Sequence, residues 1–188
     1  MRNLTIVISF ILISGCSTIQ MAGKLENGIY SNVQKTFEMN VPELPEVKVV
    51  DGSRPFYSYV DFIAKNKAYS IEVFDRASPD NEESFRLGTV SFMKRYIPNK
   101  CGPNSFDSVI GKFSKVSNKL SYDFATKGVR PDGQKTFWYG RSIYLAPNKV
   151  AICMFYVNRI ESESVEGFKS TFDKNVFDKV CSSIKAKR

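Results

Sequence analysis

The sequence predicts an α+β fold: a mainly antiparallel sheet with a middle helix and a long C-terminal helix packed on it. Three observations carry this expectation. Short segments rich in Val, Ile, Phe and Tyr recur with alternating or continuous apolar character, the pattern of strands joined as hairpins. Two segments, one mid-chain and one at the end, switch to helical spacing. The strands come in consecutive runs and do not alternate one-for-one with helices, which favours antiparallel pairing.

Residues 34–41 alternate, with Phe37, Met39 and Val41 on one side, before Pro42 and Pro45 interrupt the run. Residues 47–50 are short and β-branched. Residues 56–64 and 68–74 flank Lys65-Asn66-Lys67 and read as a hairpin. Asp80 followed by Glu83 has the capping-box pattern, so a helix should run from there to about residue 96, ahead of Pro98 and Cys101-Gly102-Pro103. Phe85, Val90, Met93, Tyr96 and Ile97 supply its apolar face, and Gly88 weakens it. Residues 109–116 and 120–126 return to strand patterns, and Asp132-Gly133 marks a turn. Residues 137–145 and 150–157 form the next pair across Pro147-Asn148. The second is apolar on both faces through Ala151, Ile152, Cys153, Met154 and Phe155, as a central strand covered on both sides requires. Residues 165–184 set Phe168, Phe172, Val176, Phe177, Val180, Cys181 and Ile184 at helical spacing, which predicts a long amphipathic closing helix.

The 188 residues fit one domain plus a targeting segment, and 43% apolar with 24% charged residues is an ordinary globular composition. The first sixteen residues, MRNLTIVISFILISGC, join a basic start to an apolar run from Leu4 to Ile13, then small residues, then cysteine. That run falls short of the roughly 20 residues a membrane-spanning helix needs and has the form of a signal peptide. Ile13-Ser14-Gly15-Cys16 resembles the lipobox of bacterial lipoproteins. The resemblance implies cleavage before Cys16, a diacylglyceryl (and often also a palmitoyl-type acyl) modification there, and a membrane anchor. Ser17 stands where an aspartate favours inner-membrane retention in enterobacterial lipoproteins. The implied location is the cell envelope, at the outer membrane facing the periplasm. The expected organisation is a signal peptide at 1–15, a lipidated cysteine and tether at 16–27, and one domain at 28–188. The tether reaches at most about 40 Å when extended.

The chain has no histidine, which removes the usual general base and metal ligand together. Its 27 basic against 19 acidic residues give a net charge of +8. That balance suits an anionic surface or an acidic envelope partner. Nucleic acid is not an expected partner of an exported chain. With Cys16 lipidated, Cys101, Cys153 and Cys181 remain, enough for one disulfide. A bridge between Cys101, in its Gly/Pro loop, and Cys181 is the expected pairing, with Cys153 buried mid-strand. Zinc spacing is lacking, and no cofactor is implied. Ser182-Ser183-Ile184-Lys185 matches S-x-x-K without its partner motifs. Asp61, Glu72 and Asp75 could supply a carboxylate pair for glycoside chemistry, but a polar, exposed hairpin face accounts for them equally well. Arg130, Lys135, Trp138, Tyr139 and Arg141 interleave cations with aromatics, as a binding patch for an anionic or aromatic ligand would. Alternation puts Trp138 and Tyr144 on one strand face and Phe137, Tyr139 and Arg141 on the other, where a core role is the competing reading.

The opening segment GIYSNVQKTFEMNVPELP and the closing FDKNVFDKVCSSI, with the aromatic strand pair between, resemble the PsbP/Mog1-like families over residues 28–184. Those families are mostly non-enzymatic accessory and binding proteins. The resemblance thus implies a non-catalytic binding or accessory domain on a lipid anchor. An inhibitor or immunity-type lipoprotein and an envelope hydrolase are the alternatives.

Overall fold

The computed structural model describes residues 23–42, 48–54, 57–64, 67–76, 79–103, 105–129, 132–133, 135–157, 168–169 and 171–187. The expected signal peptide, Cys16 and the tether as far as residue 22 lie outside the described residues, as does Arg130.

Continuous apolar character belongs at the middle of a sheet, and β10 (Lys149–Val157) is the fourth of seven strands. The order across this sheet is β4 (Lys48–Arg54), β5 (Tyr57–Ile63), β6 (Lys67–Asp75), β10, β9 (Lys135–Ala146), β8 (Lys119–Val129) and β7 (Phe106–Val116). Every neighbouring pair is antiparallel. The expected hairpin is β5–β6, with Tyr57 opposite Phe74 and Ile63 opposite Ala68. Ser117 and Asn118, with φ of 49° and 62°, turn β7 into β8 through the left-handed region that twisted hairpins favour. Gly140 of β9 faces Phe124 of β8, whose ring lies so close that a Cβ at 140 would come within 2.3 Å of it.

A second sheet contains β1 (Lys24–Glu26), β2 (Ile29–Ser31), β3 (Phe37–Asn40) and β11 (Lys185–Ala186), in that order. Residues 24–26 are strand, paired to β2 across an Asn27-Gly28 turn with φ of 50° and 76°. The Tyr30 hydroxyl donates to the Asp51 carboxylate, which also accepts from the Val33 N–H at 3.1 Å, tying this sheet to β4.

Two helices cover the larger sheet. On one face lies α1 (Glu82–Cys101). Its cap sits one residue later than the sequence implies: Asn81 accepts from the Ser84 N–H at 2.8 Å, while Glu83 pairs with Arg86 on the surface. It also continues through Pro98 to Cys101, because Ile97 and Cys101 bury their side chains in the core and the Gly102 N–H returns to the Pro98 carbonyl at 2.8 Å. On the other face lies α2 (Lys174–Ser183), much shorter than the long C-terminal helix predicted. Asp173 stops it, its carboxylate accepting from the N–H groups of Asn175 and Val176 at 2.9 and 3.1 Å. Phe168 lies in a separate helical turn before it, where the Phe172 N–H donates to the Phe168 carbonyl at 3.0 Å, and both rings join an aromatic cluster with Phe155.

The sheet thus separates two cores. Phe62, Ile71, Cys153, Phe155 and Phe177 pack with Tyr30, Phe37 and Met39 on the α2 side. Phe85, Met93, Ile97, Phe124, Trp138 and Met154 pack on the α1 side. Each such side chain contributes about 1.5–3 kcal/mol by its burial. Cys153 and Cys181 lie at disulfide distance, with Cα atoms 5.9 Å apart. The expected Cys101–Cys181 pairing is therefore wrong. Cys101 ends α1 on the opposite side of the sheet from Cys181, while Cys153 of β10 points at α2.

Candidate binding groove on the α1 face

Between α1 and the ends of β6 and β10 runs a groove of about 540 Å³. Its floor is apolar, from Phe74, Val150 and Ile152, and its α1 wall brings Leu87 and Phe92. Arg76 and Arg95 stand at its rim. The sequence shapes it locally at Gly88, where the Arg76 guanidinium lies across the helix. A Cβ there would come within 1.7 Å of that group. The residue that weakens the helix in propensity therefore gives Arg76 its seat. Tyr57, Phe74, Phe92 and Tyr96 form a row of rings with successive centroid distances of 5.2, 4.9 and 5.2 Å, which firms the inner wall. Asp75, also at the rim, is engaged by Lys149 at 2.6 Å. Two guanidiniums over an aromatic and aliphatic floor suit an apolar ligand bearing a carboxylate or phosphate.

Behind this wall lies a buried polar cluster. Asp61 and Glu72 are only 7% and 4% exposed, which corrects the expectation of an exposed hairpin face. They share the α1-facing side of adjacent strands, since Asp61 is opposite Ser70 and Tyr59 opposite Glu72. Ser70 donates to Asp61 at 2.5 Å and lies 3.4 Å from the Tyr96 hydroxyl. Burial, reinforced by the charges of Glu72 and Asp61, holds the Tyr96 hydroxyl well above the usual tyrosine range. Burial and the same two acids raise Tyr156. Neither acid is among the residues that line the groove, so neither presents its carboxyl to a ligand there. Asp75, the third acid considered, is exposed. The clue to the buried pair was in the chain: each acid sits inside an apolar run, Val60-Asp61-Phe62 and Ile71-Glu72-Val73.

The cation–aromatic stretch of β9 does not assemble as one surface. Trp138 is buried on the α1 side. Tyr139 lies on the α2 side against Phe172 and Phe177, with ring centroids 4.8 and 5.1 Å away. Lys135 is exposed at the strand start. Arg141 is buried on the α2 side: its Nε and Nη2 both donate to Asp123, the latter at 2.9 Å, and its Nη1 lies 3.0 Å from Asp178. It also lies 5.6 Å from the centre of the Phe177 ring. Burial opposes its charge, but Asp123 and Asp178 outweigh that and raise its pKa. Arg141 thus fastens α2 to β8 and β9 and is spent on the fold. Among the described residues no group of three Cys, Asp or Glu side chains could hold a metal ion, and no helix is long and apolar enough to cross a membrane.

No family model matches the chain, and no curated protein matches it in sequence. The fold is shared with solved structures, among them the following two. The Ran-binding protein Mog1p of Saccharomyces cerevisiae aligns over 87% of this chain and 96% of its own, with 8% identity and a TM-score of 0.54. The cyanobacterial PsbP of Synechocystis sp. PCC 6803 aligns over 93% of this chain and 99% of its own, with 13% identity and a TM-score of 0.51. The expected likeness to PsbP and Mog1 therefore holds for the fold.

Proposed function

We propose that the protein is a membrane-anchored envelope lipoprotein whose folded part is a non-catalytic binding domain. The observation that carries this reading is the segment MRNLTIVISFILISGC, in which basic start, apolar run and lipobox-like Ile13-Ser14-Gly15-Cys16 occur in working order. The expected site is the outer membrane, facing the periplasm. Only a few residues of sequence separate Cys16 from the strand at Lys24–Glu26, so on this reading the domain works close to its membrane. Within it, the α1 groove is the binding site, and its two arginines over an apolar floor favour an acidic, hydrophobic segment of another envelope component. The fold shared with a Ran-binding protein supports a binding role only by analogy.

Cys16→Ser tests the anchor: fatty-acid labelling and membrane association should both be lost, and unchanged labelling would sink the reading. Arg95→Glu tests the groove, because a crosslinked partner captured from intact cells should fall away while labelling persists. Undiminished capture by that variant would remove the groove from the proposal.

A further inference from the structure

We propose that the domain sits on its membrane through the β1–β2 hairpin and the lysine-lined cleft beside it, where anionic phospholipid headgroups dock. Five large apolar side chains stand exposed among the described residues, and two of them share this short hairpin: Leu25, 56% exposed, and Ile29, 42% exposed. Register sets Leu25 opposite Tyr30 and Ile29 opposite Glu26, so the two leave the ribbon on opposite faces. A surface that covers both must take the hairpin edge-on. That corner is open: β1 ends the small sheet, and a Cβ built at Gly28 would meet nothing within 4 Å. Apolar side chains at such a corner bury themselves at the boundary of headgroups and acyl chains.

Charge favours the same occupant. A cleft of about 420 Å³ beside the hairpin is lined by Lys24, Lys35 and Lys187, together with Gly23 and Ser31. Lys187 Nζ donates to Ser31 Oγ at 3.2 Å, which holds that ammonium at the cleft. Lys185 lies across from Glu38 on the neighbouring strand. Two carboxylates answer these four lysines: Glu26 lies 2.5 Å from Lys24, and Glu38 lies 2.8 Å from Lys187. Lys35 and Lys185 have no carboxylate partner among the described residues. The Lys24–Glu26 pair is largely exposed, so its ammonium is free to turn to a phosphate. The buried acid nearby, Asp51, accepts from the Tyr30 hydroxyl and the Val33 N–H and does not line the cleft.

Chain length brings this corner, and no other, to the bilayer. Gly23 follows Cys16 by seven residues, and its N–H donates to the Tyr30 hydroxyl at 3.0 Å beside the cleft. Seven residues extend at most about 24 Å. If Cys16 carries the lipid, the reading on which this step rests, the hairpin is held within that reach of the headgroups at high effective concentration. Lysines so placed are drawn to anionic lipid. The small sheet packs on the α2 side of the larger one, so this seating turns the α1 groove away from the membrane and leaves it open to a partner.

The test uses full-length protein purified from cells and placed on vesicles of phosphatidylglycerol with phosphatidylcholine, or of phosphatidylcholine alone. A polarity-sensitive fluorophore is attached at Leu25→Cys or at Lys94→Cys, the latter exposed on α1. On vesicles with phosphatidylglycerol, a lipid carrying a nitroxide at its headgroup should quench the label at 25 several times more than the label at 94. Lys24→Glu with Lys35→Glu should cut that contrast by about fivefold or more, as should high salt. Phosphatidylcholine alone should give little contrast. Equal quenching at the two positions, a contrast that ignores the charge reversal, or one as strong on phosphatidylcholine alone would overturn the seating. Fatty-acid labelling of the same preparation separates the two ideas. Acylated protein without the contrast overturns the seating and leaves the anchor intact. Protein without acylation that still shows the contrast sustains the seating without the anchor. If both are missing, absence of the contrast at vesicle excess overturns the seating.

Discussion

Removing the Cys153–Cys181 bridge should cost about 3.6 kcal/mol at 25 °C, from the chain entropy released to an unfolded loop spanning 28 residues. The perturbation is Cys181→Ala, with Cys153→Ala as its twin. Both sulfurs are buried, at 1% and 0% exposure, so each alanine adds a small packing loss to the loss of the crosslink. Spread over a domain of this size, the loss should lower the thermal midpoint by about 10 °C. Urea unfolding with and without reductant measures it, and reductant should bring the wild type down to the level of the variants. Cys101→Ala is the discriminating control. Cys101 ends α1 on the far side of the sheet, so its loss should cost only about 1 kcal/mol and leave the effect of reductant unchanged. Thiol mapping should find Cys101 alkylated only after unfolding. If Cys101→Ala fell as far as Cys181→Ala and abolished the effect of reductant, the bridge would join α1 after all, and the two-sided arrangement would be refuted.

Arg141→Ala should cost about 3–5 kcal/mol, because it strands the buried Asp123 carboxylate. Asp178→Asn should cost under about 1 kcal/mol, since that partner is 38% exposed and its pairing is screened. Denaturant midpoints for the two variants decide this, and a loss below about 1 kcal/mol for Arg141→Ala would remove it as the α2 fastening. Alkaline unfolding is also expected. Burial pushes the Tyr69 hydroxyl up to about 12 and raises Tyr96 and Tyr156 as well. A tyrosine raised in the folded state contributes stability that is full below its unfolded value near 10 and is lost as pH rises through the folded value. Phenolate absorbance for these residues should therefore appear only as the fold is lost above about pH 11. Reversible titration of all nine tyrosines near pH 10 with the fold intact would contradict it.

Strands were legible because alternation and continuous apolar runs report burial directly, and β10 declared its central place through unbroken apolar character from Ala151 to Phe155. Ends were less legible, because they depend on competing local bonds. Pro98 should stop a helix, yet the burial of Ile97 and Cys101 outweighs one missing hydrogen bond in the last turn. The spacing of Phe168 and Phe172 fits one long helix, yet Asp173 caps a new one and so separates α2 from the helical turn that holds Phe168. The short strands β1 and β11 carry too few residues for any periodicity. The site was least legible. Alternation assigns Arg141 to a face, but its role follows from register, which sets Asp123 opposite it on β8. The groove depends on where α1 crosses β6 and β10, and no single segment encodes that crossing.

The two faces of the sheet are held by different means, and this bears on where a ligand would act. The α2 side is fastened by a covalent bridge, by the Asp123–Arg141–Asp178 ion pairs and by the small sheet with its Tyr30–Asp51 tie. The α1 side relies on ring packing, a hydroxyl contact of 2.8 Å between Thr89 and Ser142, and the Ser70–Asp61 bond beside Tyr96. Covalent and buried ionic ties resist opening, whereas ring contacts and short polar bonds can re-form after a helix shifts slightly. A ligand that wedges between Phe74 and Phe92 would therefore displace α1 and leave α2 in place. Its binding would register as changed hydrogen exchange along Glu82–Cys101 while Lys174–Ser183 stayed protected. This asymmetry is the physical ground for placing recognition on the α1 face: the α2 face is stapled shut, and the α1 face is where the same fold can yield.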